Sequence, residues 1–121
     1  MYNKRRVGAQ KEALAAKYLE DRGATILDRN FRCRQGEIDL IARHGEFLVF
    51  VEVKFRSSPD LGLPEENVGV TKQKKICRVA DYYRMLRGIG ESTAIRYDVV
   101  AIEGGKVTWI QNAFPHHYRY S

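Results

Sequence analysis

The chain has 121 residues, of which 44% are hydrophobic and 30% charged, with 21 Lys and Arg against 15 Asp and Glu for a formal net charge of +6. That size and apolar content fit one domain over residues 1–121 with a core of its own, and they exclude disorder by composition. The basic surplus favours polyanionic partners such as nucleic acid or an anionic membrane surface.

Cys33 and Cys77 lie far apart and form no C-x-x-C pair, which excludes a disulfide scaffold or zinc ribbon and reads as two free thiols. The basic start Lys4-Arg5-Arg6 has no apolar stretch behind it, so no signal peptide is expected. No run approaches the ~20 apolar residues that cross a bilayer. A soluble, cytoplasmic protein without a membrane partner is the expectation.

Residues 4–22 read as a helix, with Val7, Leu14, Ala15, Tyr18 and Leu19 at helical spacing and Gly23 as the stop. Residues 24–31, 37–43 and 46–55 read as strands, the last two joined by a tight turn at His44-Gly45. Residues 56–69 carry Ser57-Ser58-Pro59, Gly62, Pro64 and Asn67 and read as a long loop. A second helix is expected over 71–87, capped by Thr71, with Ile76, Val79, Ala80, Tyr83 and Met85 on its apolar side. Residues 94–103 and 106–110 form a second hairpin around Gly104-Gly105, and the tail from Asn112 is unassigned. The order α-β-β-β-α-β-β predicts an α/β fold, a mixed sheet flanked by helices.

Chemistry concentrates in Gly36-Glu37-Ile38-Asp39-Leu40-Ile41 and Val49-Phe50-Val51-Glu52-Val53-Lys54. A hairpin symmetric about His44-Gly45 sets Asp39 opposite Phe50 and Glu37 opposite Glu52. Glu37, Asp39, Glu52 and Lys54 then share one face, and Ile38, Leu40, Val49, Val51 and Val53 fill the other. Three acids on a nearly apolar pair of strands repel one another, and a divalent cation with hard oxygen ligands would relieve that repulsion. Such an ion also activates water and stabilises charge on a phosphodiester. Lys54 would orient that water or face the phosphate. On geometry alone, a salt-bridged polar strip on a solvated sheet face explains Glu52 and Lys54 equally well.

These residues, with Gly8, Glu12 and Ala15, Gly23, Asn30-Phe31-Arg32, Arg56, Val70, Lys72 and Arg96-Tyr97-Asp98-Val99-Val100, resemble the YraN family of bacterial proteins over nearly the whole chain. That family is similar to the PD-(D/E)xK nucleases, especially the archaeal-type Holliday-junction resolvases. The resemblance implies a restriction-endonuclease-like αβββαβ core and phosphodiester hydrolysis dependent on Mg²⁺ or Mn²⁺. It assigns the catalytic acids to Asp39 and Glu52 and the catalytic lysine to Lys54. A first-helix glutamate joins Asp39 and Glu52 as a metal ligand and falls on Glu12. Ile38 stands where the motif's name has proline.

Glu37 reads as a supporting residue, either a ligand or an acceptor holding Lys54 or Arg32. Arg32, Arg34, Arg56, Lys72, Gln73 and Lys75 are the expected nucleic-acid contacts, although a charge run on a helix is more often its solvated face. His116-His117 with Tyr118 and Tyr120 has the composition of a metal-binding or base-stacking tail, but the stronger reading is a solvated, frayed terminus. Trp109 is expected in the core, and Asp98 in a structural element. The leading expectation is an endonuclease acting on DNA, including branched or structured DNA, with a twofold dimer if it matches a twofold junction. The alternatives are a nucleic-acid-binding module that does not cut, and an interaction protein that reuses the fold.

Overall fold

The structure is a computed structural model that describes residues 4–56 and 68–119. Its elements are α1 (Lys4–Asp21), β1 (Thr25–Cys33), β2 (Gly36–His44), β3 (Phe47–Arg56), α2 (Val70–Arg87), β4 (Ile95–Glu103) and β5 (Lys106–Phe114). Of the loop expected over 56–69, Arg56 belongs to β3 and residues 57–67 lie outside the described residues. Gly23 (φ 96°) and Gly88 (φ 65°) end the two helices in conformations that side chains disfavour. Thr71 is not the cap of α2: Gly69 holds that position, with no side-chain cap bond, and Thr71 lies inside the helix.

The strands stand in chain order in a single sheet, antiparallel throughout except for the parallel pair β3 and β4. A parallel pair requires a crossover, and α2 supplies it. The fold is therefore α/β, a mixed sheet flanked by helices, as expected. β5 runs on to Phe114, so the start of the unassigned tail is strand. The first hairpin turns at Gly45-Glu46 rather than His44-Gly45, because His44 pairs with Phe47. That slides the register by two residues, so Ile41 rather than Asp39 faces Phe50. An even slide leaves every side chain on its face.

Each face of the sheet carries its own core. Ile76, Val79, Ala80 and Tyr83 of α2 bury Ile38, Ile41, Leu48, Phe50, Tyr97 and Val99. On the other face, Ala15, Ala16 and Leu19 of α1 bury Leu40, Ala42, Val49, Val51, Val100 and Ile102. Leu14 and Met85, both expected on the apolar faces, are exposed. Trp109 packs against the α1-side core without being fully buried.

Ile38 departs from the expected facing. It lies on the α2 side with Ile41, three residues on, whereas Leu40 lies on the α1 side. Strict alternation fails here in both β1 and β2. Asp28, which accepts from Tyr83 of α2, and Phe31, which packs against Tyr83, are likewise three apart on the α2 side. Between them Asn30 adopts φ 52°, a left-handed conformation open to Asn, and by register it stands opposite Asp39.

The far side of the sheet is pinned by a buried carboxylate. Asp98 is fully buried and takes Arg96 Nε and Nη2, each at 2.9 Å. It also accepts from Trp109 Nε1 at 2.8 Å and from the backbone N–H of Asn112 at 2.9 Å, where Asn112 (φ 54°) bulges out of β5. Removing one partner of a buried ion pair strands the other charge. Asp98→Ala should lower the unfolding free energy by about 3–5 kcal/mol, read by urea denaturation with Trp109 fluorescence as the probe. A loss below about 1 kcal/mol would place this pair among surface ion pairs.

Candidate active site

The site forms where β2 and β3 part. Their ladder runs from His44↔Phe47 to Leu40↔Val51, while β3 continues along β4 as far as Arg56↔Glu103. The Val53 N–H, left without a β2 carbonyl, donates instead to Asp39 Oδ2 at 2.8 Å. The Asp39 carboxylate thus occupies the fork and satisfies a backbone donor that the departing strand abandons.

Glu52 and Lys54 alternate with Val51 and Val53 and so share the α2 side with Leu48 and Phe50. Glu52 is 8% exposed. Its Oε1 lies 3.9 Å from Lys54 Nζ and accepts a hydrogen bond from Lys72 Nζ of α2. Glu37 sits on the opposite side, because the break at Asp39 reverses its facing. It pairs with Arg32 at 3.0 Å and lines, with Gly8, Ala9 and Glu12 of α1, a cleft of about 470 Å³. Carboxylate oxygens of Glu12, Glu37 and Asp39 lie within 4.8 Å of one another.

The structure therefore brings Glu12 to Asp39, sets Glu37 beside them and leaves Glu52 outside that trio. Glu37 and Glu52 do not share a face. Asp39 stands between the two groups, close enough to Glu52 for that carboxylate to act on its ionisation.

Burial is the main cause that raises the Asp39 pKa from 3.8 to about 7, and Glu52, Glu12 and Glu37 add to it against the opposing Val53 N–H. Burial and the adjacent Lys72 ammonium pull Lys54 below the ordinary lysine range. Burial works against the charge of Lys72 as well, but its hydrogen bond and attraction to Glu52 outweigh that and push its pKa up. The centre thus holds excess negative charge on the α1 side and a lysine pair on the α2 side. Its oxygen donors are of the hard type that could hold a divalent cation.

The expected nucleic-acid contacts scatter. Lys72 is committed to Glu52, and Gln73 is a brace: its Nε2 donates to the Val68 carbonyl at 2.7 Å and its Oε1 meets His117 Nε2 at 2.7 Å. Arg32 is tied to Glu37, Arg34 and Lys75 are exposed, and the side chain of Arg56 lies outside the described residues.

The histidine pair is not frayed. His116 Nδ1 meets the Tyr97 hydroxyl at 2.6 Å and its Nε2 lies 3.4 Å from Asp81. The His117 N–H donates to Cys77 Sγ at 3.3 Å, and its carbonyl accepts from Arg78. Nothing in the spacing of the sequence ties residues 116–117 to α2, because the contacts depend on where β5 ends.

The raised pKa of Asp39 means that the folded protein binds its proton more tightly than the unfolded chain. The associated stability is fully present below pH ~4 and is lost as pH rises through about 7. Asp39→Asn keeps an acceptor for the Val53 N–H and removes the charge. In metal-free buffer it should stabilise the protein by about 2 kcal/mol at pH 8 and by almost nothing at pH 4, measured by urea denaturation. An equal effect at both pH values would contradict a charge origin.

The model of the family described as Uncharacterised protein family UPF0102 matches residues 11–102. A UPF0102 protein of Lachnoclostridium phytofermentans is 46% identical over 112 residues, covering 93% of this chain and 95% of its own. Another, from Aeromonas hydrophila, is 49% identical over 108 residues, covering 88% and 83%. A third, from Anaeromyxobacter dehalogenans, is 50% identical over 99 residues, covering 82% and 73%. The solved structure of Pyrococcus furiosus SfsA in complex with Ca²⁺ aligns over 88% of this chain and 63% of that one, at 12% identity and a TM-score of 0.30, an overlap too loose to bear on fold or chemistry. The family expected from the motifs is the one found: the chain belongs to the uncharacterised protein family UPF0102.

Proposed function

We propose that this protein is a divalent-metal-dependent endonuclease that hydrolyses phosphodiester bonds in DNA, with branched or structured DNA as its substrate class. The observation that carries the reading is the Asp39 carboxylate. It is half-buried, within 4.8 Å of two further acids, and in no ion pair found among the described residues, beside a lysine pair on β3 and α2. A fold gains no stability from that concentration of charge, so its support is functional.

Glu12, Glu37 and Asp39 would hold Mg²⁺ or Mn²⁺, with Glu52 adjoining. The bound ion would supply Lewis-acid stabilisation and a more acidic water. Asp39 sets the position of that charge through its bond to Val53. Lys54, held near Glu52 on the rigid central part of the sheet, presents its Nζ to the phosphate or the attacking water. Lys72 holds Glu52 in place. The second reading is a nucleic-acid-binding module that does not cut. Its support is the grip of Lys72 and Lys54 on Glu52, which neutralises one of the expected catalytic acids without any metal.

The test is a cleavage assay on duplex, nicked, flap and four-way-junction DNA, and on RNA, with Mg²⁺, Mn²⁺ or EDTA. Wild type should cut only with metal, and Asp39→Asn, Glu52→Gln and Lys54→Ala should each lose about 100-fold or more in rate while still binding DNA. Mn²⁺ should also raise the melting temperature of wild type but not of Asp39→Asn. Cleavage of equal strength in wild type and Glu52→Gln would reject the assignment. Absence of metal-dependent cleavage on every substrate would favour the binding module.

A further inference from the structure

The first turns of α2 and the C-terminal tail enclose a groove of about 300 Å³ whose lining contains no acid. Thr71, Lys74, Lys75 and Arg78 follow the i, i+3, i+4, i+7 spacing, so they form one stripe along the helix, turned away from the buried stripe of Ile76, Val79, Ala80 and Tyr83. The tail adds His117, Tyr118 and Arg119 as the facing wall. Lys74, Lys75 and Arg119 enter none of the ion pairs found among the described residues, and all three are exposed.

The wall is built rather than draped. Arg78 donates to the His117 carbonyl, the His117 N–H donates to Cys77 Sγ, and His117 Nε2 meets Gln73 Oε1, so three residues of α2, on adjoining turns, hold one tail residue. His116 is anchored against Tyr97 with ring centroids 5.8 Å apart. This fixes the next residue, Tyr118, whose ring stands edge-on to His116 at 4.8 Å and remains 73% exposed. A large aromatic held that open beside exposed cations, with Asp81 and Glu91 only on its far side, is an arrangement that takes a phosphate backbone and a base face together.

We propose that this groove binds a single-stranded segment of nucleic acid, with Lys74, Lys75 and Arg119 on consecutive phosphates and a base stacked on Tyr118. The groove begins within one helical turn of Lys72, which holds Glu52, so a strand lying in it leads toward the acid–lysine centre. The proposal rests on the reading of the chain as a nucleic-acid enzyme. It is tested without cleavage, so failure of catalysis and failure of the groove are separate results.

The experiment is fluorescence anisotropy in EDTA with a labelled oligodeoxythymidylate and a strand of abasic spacers with the same number of phosphates. Lys74→Ala with Lys75→Ala should weaken binding of both probes about tenfold and reduce the salt slope by about 2. Lys17→Ala with Lys106→Ala, an equal change in net charge elsewhere on the surface, should change affinity by less than about twofold. Tyr118→Ala should weaken oligodeoxythymidylate about tenfold, leave the abasic strand unchanged, and be rescued by Tyr118→Phe. Equal losses from the two lysine pairs would overturn the proposal by showing only a general charge effect. So would a Tyr118→Ala variant that binds both probes as wild type does, or tighter binding of polyglutamate or phosphatidylserine vesicles than of either strand.

Discussion

The hydrogen bond from the Val53 N–H to Asp39 Oδ2 is the contact on which the site depends. β3 is held on its other edge by β4 along its whole length, so it cannot follow β2 when β2 turns away. Something must meet the backbone donors exposed at the split, because an unpaired amide in that half-buried position costs free energy. A side-chain carboxylate does so at one residue. In doing so it becomes fixed to the central strand of the sheet. Glu52 and Lys54 flank Val53 in sequence, so the same bond that seats Asp39 also sets its relation to both.

Two aspartates in this fold perform the same backbone service with opposite electrostatics. Asp98 caps the Asn112 bulge and Asp39 caps the β2–β3 fork. Asp98 is surrounded by donors, a bidentate guanidinium and an indole N–H, and its charge is matched within the core. Asp39 has one amide and three carboxylate neighbours, and its pKa rises accordingly. Since burial would favour matching the charge in both places, the mismatch at Asp39 is the informative one. The protein's own donors match the charge of Asp98 and do not match that of Asp39, and the proposed metal site rests on that difference.

Much of this was legible in the sequence because the strands alternate. The parity of the hairpin put Glu52 and Lys54 together and Val49 and Val51 opposite, and a turn misplaced by one position left those facings intact since the register slid by two. What alternation could not convey was its own interruption. The left-handed Asn30 and the offset at Ile38 turn Glu37 to the α1 side, away from Glu52, and no composition or spacing announces a reversal at a residue pair. The same limit applies to the tail. His116 and His117 look like a solvated end until β5 is known to reach Phe114, which delivers them to Cys77, Asp81 and Tyr97. Lys72 was legible as a cation near a phosphate site, yet its partner is an acid some 20 residues earlier, a contact that depends on how the crossover helix docks.

That docking makes Glu52 the hinge between the two functional readings. The carboxylate is buried and must have a counter-charge. At present it has two lysines, one from its own strand and one from α2. A metal ion drawn to Glu12, Glu37 and Asp39 would bring positive charge to the other side of the fork and repel both ammonium groups. The lysine with the weaker hold would yield first. Lys54 lies 3.9 Å from Glu52, with its charge already disfavoured by burial and by Lys72. Lys72 makes the direct hydrogen bond, and its charge is reinforced by it. The asymmetry divides the labour. Lys72 stays as the structural counter-ion of Glu52, coupling α2 and everything mounted on it to the centre of the sheet. On the proposed hydrolytic reading, Lys54 would be the lysine free to turn toward a phosphate, a role that a passive binding surface does not require.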